Sequence, residues 1–262
     1  MRLAELKPSL FIASMGAALL LALSLLLAWS TGWHWSPTES AAVHTFTQAD
    51  ALFQAEGLSP QRAQVSLRHR WDSAFPGRSG QARYTVTLPP ALLANEPALG
   101  VYLERVGNQA QVTLNGVLLQ QWGEPRSPVY DASKFSRVLA LPTALLQGAG
   151  PHVLVIELHA QALRGGGLSP VVVGPLAAVS ALQERQQFWS QGPAAAYAAC
   201  LLLMGGLAAG LWWHQREPLF GCFSLAALCG AVRPLDQWLQ HTPLPWPWWG
   251  QCWRWPMACS WA

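Results

Sequence analysis

The chain is 262 residues long, 52% hydrophobic and 11% charged, with a formal net charge of +3. Soluble domains carry about a quarter of their residues as charges, so this composition excludes an ordinary soluble protein. A positive excess this small, with no basic block, also excludes nucleic acid as a partner.

The apolar excess is concentrated. Residues 10–29, "LFIASMGAALLLALSLLLAW", hold no charge, and about 20 such residues suffice for a helix to cross the hydrocarbon core of a bilayer. Residues 1–30 are therefore read as an N-terminal transmembrane anchor. A cleaved signal peptide is the alternative, but its apolar core would be about 7–15 residues and would end at small residues. This run ends instead at Trp29, with Trp33 close behind, a pair suited to a membrane interface. Arg2 and Lys7 precede it, so the positive-inside rule sets the amino terminus in the cytoplasm and the chain from Ser30 onward outside. Residues 31–63 follow as an extracytoplasmic connector.

From 64 to 175 the pattern is one of short strands. "QVSLRHRW" (64–71) and "QARYTVTLP" (81–89) alternate with period two. "LGVYLERV" (99–106) and "QAQVTLNG" (109–116) flank Gly107-Asn108, a reversal signal. Asn115-Gly116 then leads into "VLLQQW" (117–122), a strong hairpin cue because both residues tolerate positive φ. "SRVLALP" (136–142), "HVLVIELHA" (152–160) and "LSPVVVGP" (168–175) complete eight strands, the last bracketed by prolines that suit an edge or terminal position. With no long helix among them, these strands predict an all-β antiparallel sandwich of the jelly-roll kind. "LPPALL" (88–93) and "LPTALL" (141–146) read as one loop solution used twice, a proline stopping the ladder before a helical turn.

After Pro175 the grammar changes. Residues 176–192 form a juxtamembrane amphipathic helix, with Leu176, Val179, Leu182, Gln186 and Trp189 at helical spacing. It runs into a second uncharged span at 193–213 with no flexible linker, and a junction without Gly/Ser slack can transmit a displacement. "HQRE" (214–217) is a short cytoplasmic turn, and a third apolar stretch covers about 218–238. Residues 193–262 are thus the start of a transmembrane helical bundle, its last span incomplete. Nine of the fifteen Trp lie from Trp212 onward. Interfacial anchoring accounts for Trp246, Trp248 and Trp249, with a non-native tail as the alternative. All five cysteines, Cys200, Cys222, Cys229, Cys252 and Cys259, fall in this apolar part without a Cys-x-x-Cys pair, so they read as small packing residues.

Neither a metal nor a cofactor is expected, because no histidine pair has a third ligand at metal spacing. His152 and His159 bracket one strand seven residues apart and should face opposite sides. No catalytic constellation emerges: Glu104, Glu124, Asp131 and Glu157 are acidic candidates without an evident partner, and the chain is not expected to be an enzyme. "RGGGLSP" (164–170) precedes a strand and lacks the Lys-Ser/Thr of a phosphate cradle. It reads as a flexible closing loop, or as one whose amides and Arg164 face a ligand. Binding of a small molecule or carbohydrate needs an aromatic platform with a few polar groups. Trp71, Arg105, Trp122, Tyr130 and Arg164 are the candidate ligand-binding residues, with Arg126 near Trp122. Trp71 as a core plug and Arg105 as a strand cap are the plain alternatives.

"VYLERVGNQAQVTLNG" with "LPTALLQGAGPHVLVIEL", "GGGLSPVVVGP" and, more weakly, "REPLFGCFSLAALCGAVRPLDQWL" resembles a known family. It is that of bacterial seven-transmembrane receptors with diverse intracellular signalling modules. The extracytoplasmic domain of these receptors is similar to the galactose-binding-like jelly roll of family 2 glycoside hydrolases. The resemblance implies a sensory input module in the bacterial inner membrane, with residues 31–192 in the periplasm. It implies a small-molecule or carbohydrate ligand, lipid contact, and a homodimer or cytoplasmic signalling partner. The family's output is a histidine kinase or, next, a diguanylate cyclase, and this chain is expected to be truncated before it. The alternative is a periplasm-facing carbohydrate-binding or scaffold membrane protein without signalling output.

Overall fold

The computed structural model describes residues 43–90, 98–124, 127–147 and 150–252, excluding the side chains of 251 and 252. The expected first span, Arg126 and the tail from Trp253 lie outside the described residues. So does the second half of "LPPALL", residues 91–93.

Twelve strands are described: β1 (His44–Phe46), β2 (Gln48–Ala55), β3 (Gln61–Ser66), β4 (His69–Arg70), β5 (Gly80–Leu88), β6 (Leu99–Leu103), β7 (Gln109–Leu114), β8 (Val117–Trp122), β9 (Arg137–Leu141), β10 (His152–Ala160), β11 (Gly167–Leu168) and β12 (Val171–Pro175). They form a four-stranded sheet, β1-β12-β6-β9, a six-stranded sheet, β3-β2-β5-β10-β7-β8, and the small pair β11-β4. The described strands pair antiparallel throughout. From β5 to β12 the chain crosses repeatedly between the two larger sheets, and the one hairpin kept within a sheet there is β7–β8. This is the jelly-roll kind of sandwich, and one core joins its two layers.

Strand β10 shows why the sheet forms. His152, Leu154, Ile156, Leu158 and Ala160 are buried while the residues between them are half-exposed, so a period-two sequence gives one core face and one outer face. His152 and His159 accordingly take opposite faces. Strand β6 is buried on both faces, because a long helix covers its outer side. A Cβ built on Gly100 would lie 2.7 Å from Val179 Cγ2 and 2.9 Å from Leu176 Cδ1, so the absent side chain at Gly100 is what seats that helix.

The Asn115-Gly116 corner is the expected tight hairpin, with φ of 52° and 84°. Asn115 also donates from Nδ2 to Leu145 O at 2.8 Å and accepts from Val153 N–H at Oδ1, 2.8 Å. Asn115→Ala loses both bonds and leaves a Cβ residue at positive φ without Asn's local compensation. It should cost about 1–2 kcal/mol in urea unfolding of the detergent-solubilised chain.

Several expectations change. Gly107-Asn108 is not a hairpin reversal, since β6 and β7 belong to different sheets; it is a crossover, and Asn108 is fully buried. "PVVVGP" is the terminal strand in chain order but not an edge, because β12 lies between β1 and β6, with its prolines confined to the ends where no ladder bond is lost. The stretch 64–71 splits into β3 and β4 and ends in a helical turn, Trp71–Ala74. Likewise 168–175 splits at Pro170 into β11 and β12. Strands β1 and β2 fall within the stretch read as connector, yet both belong to the sheets.

Two long helices follow, α1 (Leu176–Gln215) and α2 (Pro218–Asp236). The expected juxtamembrane helix and second span are one continuous rod, with Pro193 inside it. Trp189, expected on its packed face, is 58% exposed. Both helices are long and apolar enough to cross a membrane, by length and composition. They pack on each other through small residues: Ala198, Gly205 and Ala208 of α1, and Ser224, Ala227 and Ala231 of α2, are buried. Ser224 Oγ donates to Gly205 O at 2.9 Å. Elsewhere large apolar side chains such as Leu203, Leu219 and Leu225 stand exposed.

Candidate functional site

The five sequence-predicted residues fall in two groups around one end of the sandwich. Trp71 is a core plug, 1% exposed. Its ring packs on Phe75 at 4.6 Å and its Nε1 donates to Arg78 O at 2.7 Å. It offers no platform to a ligand. Arg105 is exposed, and its Nη2 donates to Gly165 O at 2.9 Å. Asp72, which the sequence did not single out, accepts from Gly165 N at 2.7 Å and Leu163 N at 3.1 Å. The expected flexible loop is therefore tied down on both sides. At Gly167, φ is 153° and a Cβ would lie 2.1 Å from His69 O, so glycine is required there.

Trp122, Tyr130 and Arg164 do converge, but as a buried junction, each 8% exposed. Arg137 joins the first two, its guanidinium 5.5 Å from the Trp122 ring and its Nη2 donating to Tyr130 Oη at 3.2 Å. Arg164 lies 3.5 Å from the Asp131 carboxylate, donates to Pro128 O and Gln161 Oε1, and sits 5.5 Å over the Trp246 ring. Burial pushes Arg164 below its ordinary value, while Asp131 and Asp236 pull it back up. Asp131 Oδ1 also accepts from Ser133 N and Oγ and from Asn108 Nδ2.

The chain after α2 closes this junction. Asp131 N donates to Gln240 O at 3.0 Å, Thr242 N to Val129 O at 2.7 Å, and Trp246 N to Pro128 O at 2.9 Å. Trp246 Nε1 donates to Ala162 O at 2.9 Å, and Trp249 Nε1 to Asp236 Oδ1 at 2.7 Å. Lys134 pairs with Asp236 at 2.7 Å. Trp246 and Trp249 are thus held by protein groups, contrary to the interfacial reading, whereas Trp248 remains 64% exposed.

Beside the junction, where β2 and β10 end and β5 and β7 begin, a cleft of about 640 Å³ opens. Pairing sets Gln54 opposite Gln81, Gln81 opposite His159, and His159 opposite Gln109, a polar row across four strands on the outer face. Gln161, also in the lining, donates from Nε2 to Ser127 O at 2.9 Å and accepts from Arg164. Period two marks these positions as outward-facing, but their alignment across strands depends on register, which no local signal reveals.

Among the described residues, no group of three or more His, Cys, Asp or Glu could hold a metal ion. Of the acidic candidates, Glu157 pairs with Arg83 at 2.6 Å and Glu104 accepts from Gln186 at 3.2 Å.

Tyr84 Oη and His69 Nδ1 share a 2.9 Å hydrogen bond in the core. Burial lowers the imidazole below its ordinary 6.5 and raises the phenol, so the folded sandwich favours the neutral pair. The unfolded chain binds the His69 proton more readily. This contribution to stability is complete above the unfolded pKa and is lost as pH falls from about 6.5 through the lowered folded value. Melting temperatures measured between neutral and mildly acidic pH should fall, and His69→Gln should flatten that dependence.

No family model and no curated protein matches the chain. Similar solved structures include a GH2 β-galacturonidase from Eisenbergiella tayi, 13% identical with a TM-score of 0.38 over 52% of this chain and 24% of that one. An FMN-binding β-glucuronidase from Facaelibacterium prausnitzii L2-6 is 13% identical, TM-score 0.39, over 51% and 22%. A putative β-galactosidase from Bacteroides fragilis is 17% identical, TM-score 0.37, over 50% and 23%. The similarity spans less than a quarter of each of these three proteins.

Proposed function

We propose that this chain is the sensory input part of a bacterial inner-membrane signalling receptor of the seven-transmembrane kind with diverse intracellular modules. The sandwich samples the periplasm for a small molecule, and α1 and α2 carry its state into the bilayer. The chain itself performs no catalysis; a histidine kinase or a diguanylate cyclase supplies the output.

One observation carries this reading: the sandwich grips both ends of the helical hairpin that lie on its side. At the start of α1, Leu176 and Val179 sit against Gly100, and Gln183 Nε2 donates to Ser136 O at 2.9 Å. At the end of α2, Lys134 holds Asp236, and residues 240–246 run along 128–131. A shift in the loops between these grips displaces one helix end relative to the other. Ligand binding drives such a shift only through unequal affinity for the two states.

Aromatic positions agree with a bilayer. Trp189 and Trp212 are 23 residues apart on α1, about 35 Å at the helical rise, near the distance between the two interfaces. Arg216 caps the far end with its guanidinium 4.9 Å from the Trp213 ring.

Alkaline phosphatase fused after residue 117 should be active and fused after residue 216 inactive; the reverse, or activity at both sites, overturns the topology. Signalling is tested with paired spin labels at the near ends of α1 and α2 in the full chain. A distance that stays fixed when the sandwich binds a ligand would favour the scaffold alternative.

A further inference from the structure

We infer that the cleft at the end of the six-stranded sheet binds an uncharged, hydroxyl-rich small molecule. The inference deepens the sensory reading and rests on it only in taking the sandwich as the ligand-binding part. The volume of about 640 Å³ falls within the range of about 300–1,000 Å³ common to small-molecule sites.

The lining selects the chemistry. Its polar side chains include the exposed primary amides of Gln54 and Gln81 and the half-buried amide of Gln161, with Gln109 buried behind them on Ser127 O. Each amide has two N–H donors and a carbonyl acceptor. Hydroxyls also donate and accept, so a row of amides matches a ligand with several neighbouring hydroxyls. Among the described residues that line the cleft there is no Lys or Arg, and Glu56 is the one carboxylate; Arg78, next to this lining, donates from Nη1 to Glu56 O. An anionic ligand finds no guanidinium or ammonium in that lining, and a desolvated charge without a partner is costly.

Ala55, Gly80 and Ala160 also line the cleft. A Cβ at Gly80 would sit 2.5 Å from Gln54 O and 2.6 Å from Trp71 Cζ2, so glycine lets β5 lie against β2 and the core ring at this end of the sheet. Among the described residues no Phe, Tyr or Trp lines it, so binding rests on hydrogen bonds exchanged with water, each with a small net gain, and affinity should be modest.

Gln161 connects the cleft to the junction. Its carbonyl oxygen accepts from Arg164, whose guanidinium stacks on Trp246. Gln109 and Gln161 both donate to Ser127 O. A ligand hydroxyl that engages the Gln161 amide perturbs the loop gripping the chain after α2.

The test uses the full chain in lipid nanodiscs and saturation-transfer NMR. The probes are D-galactose, D-glucose, D-xylose and sorbitol, with D-glucuronate and D-glucosamine as charged counterparts. At least one neutral probe should bind in the millimolar range, with the charged counterparts at least roughly tenfold weaker. The exposed double substitution Gln54→Ala/Gln81→Ala should weaken binding by roughly tenfold or more, from two lost hydrogen bonds, while leaving the melting temperature unchanged. The inference fails if no neutral probe binds at tens of millimolar, if a charged counterpart binds as tightly, or if the double substitution leaves binding intact. The phosphatase fusions report topology independently, so failure of the cleft and failure of the membrane reading are distinguishable.

Discussion

Asp131→Ala should destabilise the folded chain by about 3–5 kcal/mol, because it strands the buried Arg164 guanidinium without its carboxylate. The side chains of the pair are 3% and 9% exposed, too little for water to replace the lost partner. Among the described residues Arg164 Nη2 already has no hydrogen-bond partner, so the group has little reserve. The same substitution removes the acceptor for Ser133 N and Asn108 Nδ2. Arg164→Met should cost less than Asp131→Ala, since the aspartate keeps its Ser133 and Asn108 donors. The double variant Asp131→Ala/Arg164→Met should be more stable than Asp131→Ala alone. Chemical denaturation of the four proteins closes the cycle. Additive effects would mean that the 3.5 Å approach contributes nothing as an ion pair and that the junction is held by packing alone.

How much of this was legible in the sequence follows from how local each signal is. The Asn115-Gly116 turn and the alternation of β10 are written in adjacent residues, and both occur where they were expected. Strand β2 was not, because its inner face is Ala49, Ala51, Phe53 and Ala55; three alanines give almost no hydrophobic alternation. Gly107-Asn108 has the same turn chemistry as a hairpin, but whether the next strand stays in its sheet is decided by distant partners. Trp122, Tyr130 and Arg164 are candidate ligand contacts by sequence, and they meet in a buried joint. Arg137 and Asp131, which make the joint, are ordinary charged residues in sequence, 27 and 33 positions from Arg164. The tryptophan-rich composition of the tail suggested lipid. That Trp246 is bonded to Ala162 O could be learned only from the fold.

The second large effect is expected at Gly100. Gly100→Leu forces a side chain into the 2.7 Å gap to Val179 and should cost about 2–3 kcal/mol through overpacking. The loss should be local. Hydrogen exchange should rise in the first turns of α1 and stay unchanged in β10, whose core face does not meet the helix. Lys134→Ala acts at the other grip, on a partly exposed pair, and should cost only about 1 kcal/mol while raising exchange across 240–246. If the two grips work as a couple, the nanodisc-embedded Gly100→Leu protein still binds ligand at the cleft but no longer changes the spacing between the near ends of α1 and α2. The Lys134→Ala protein should behave the same way despite its smaller energetic loss. Retention of the full ligand-dependent spacing change in Gly100→Leu would show that the helix start is a passive tether. Loss of ligand binding in either variant would mean that the cleft and the grips are one structural unit, not an input and its transmission.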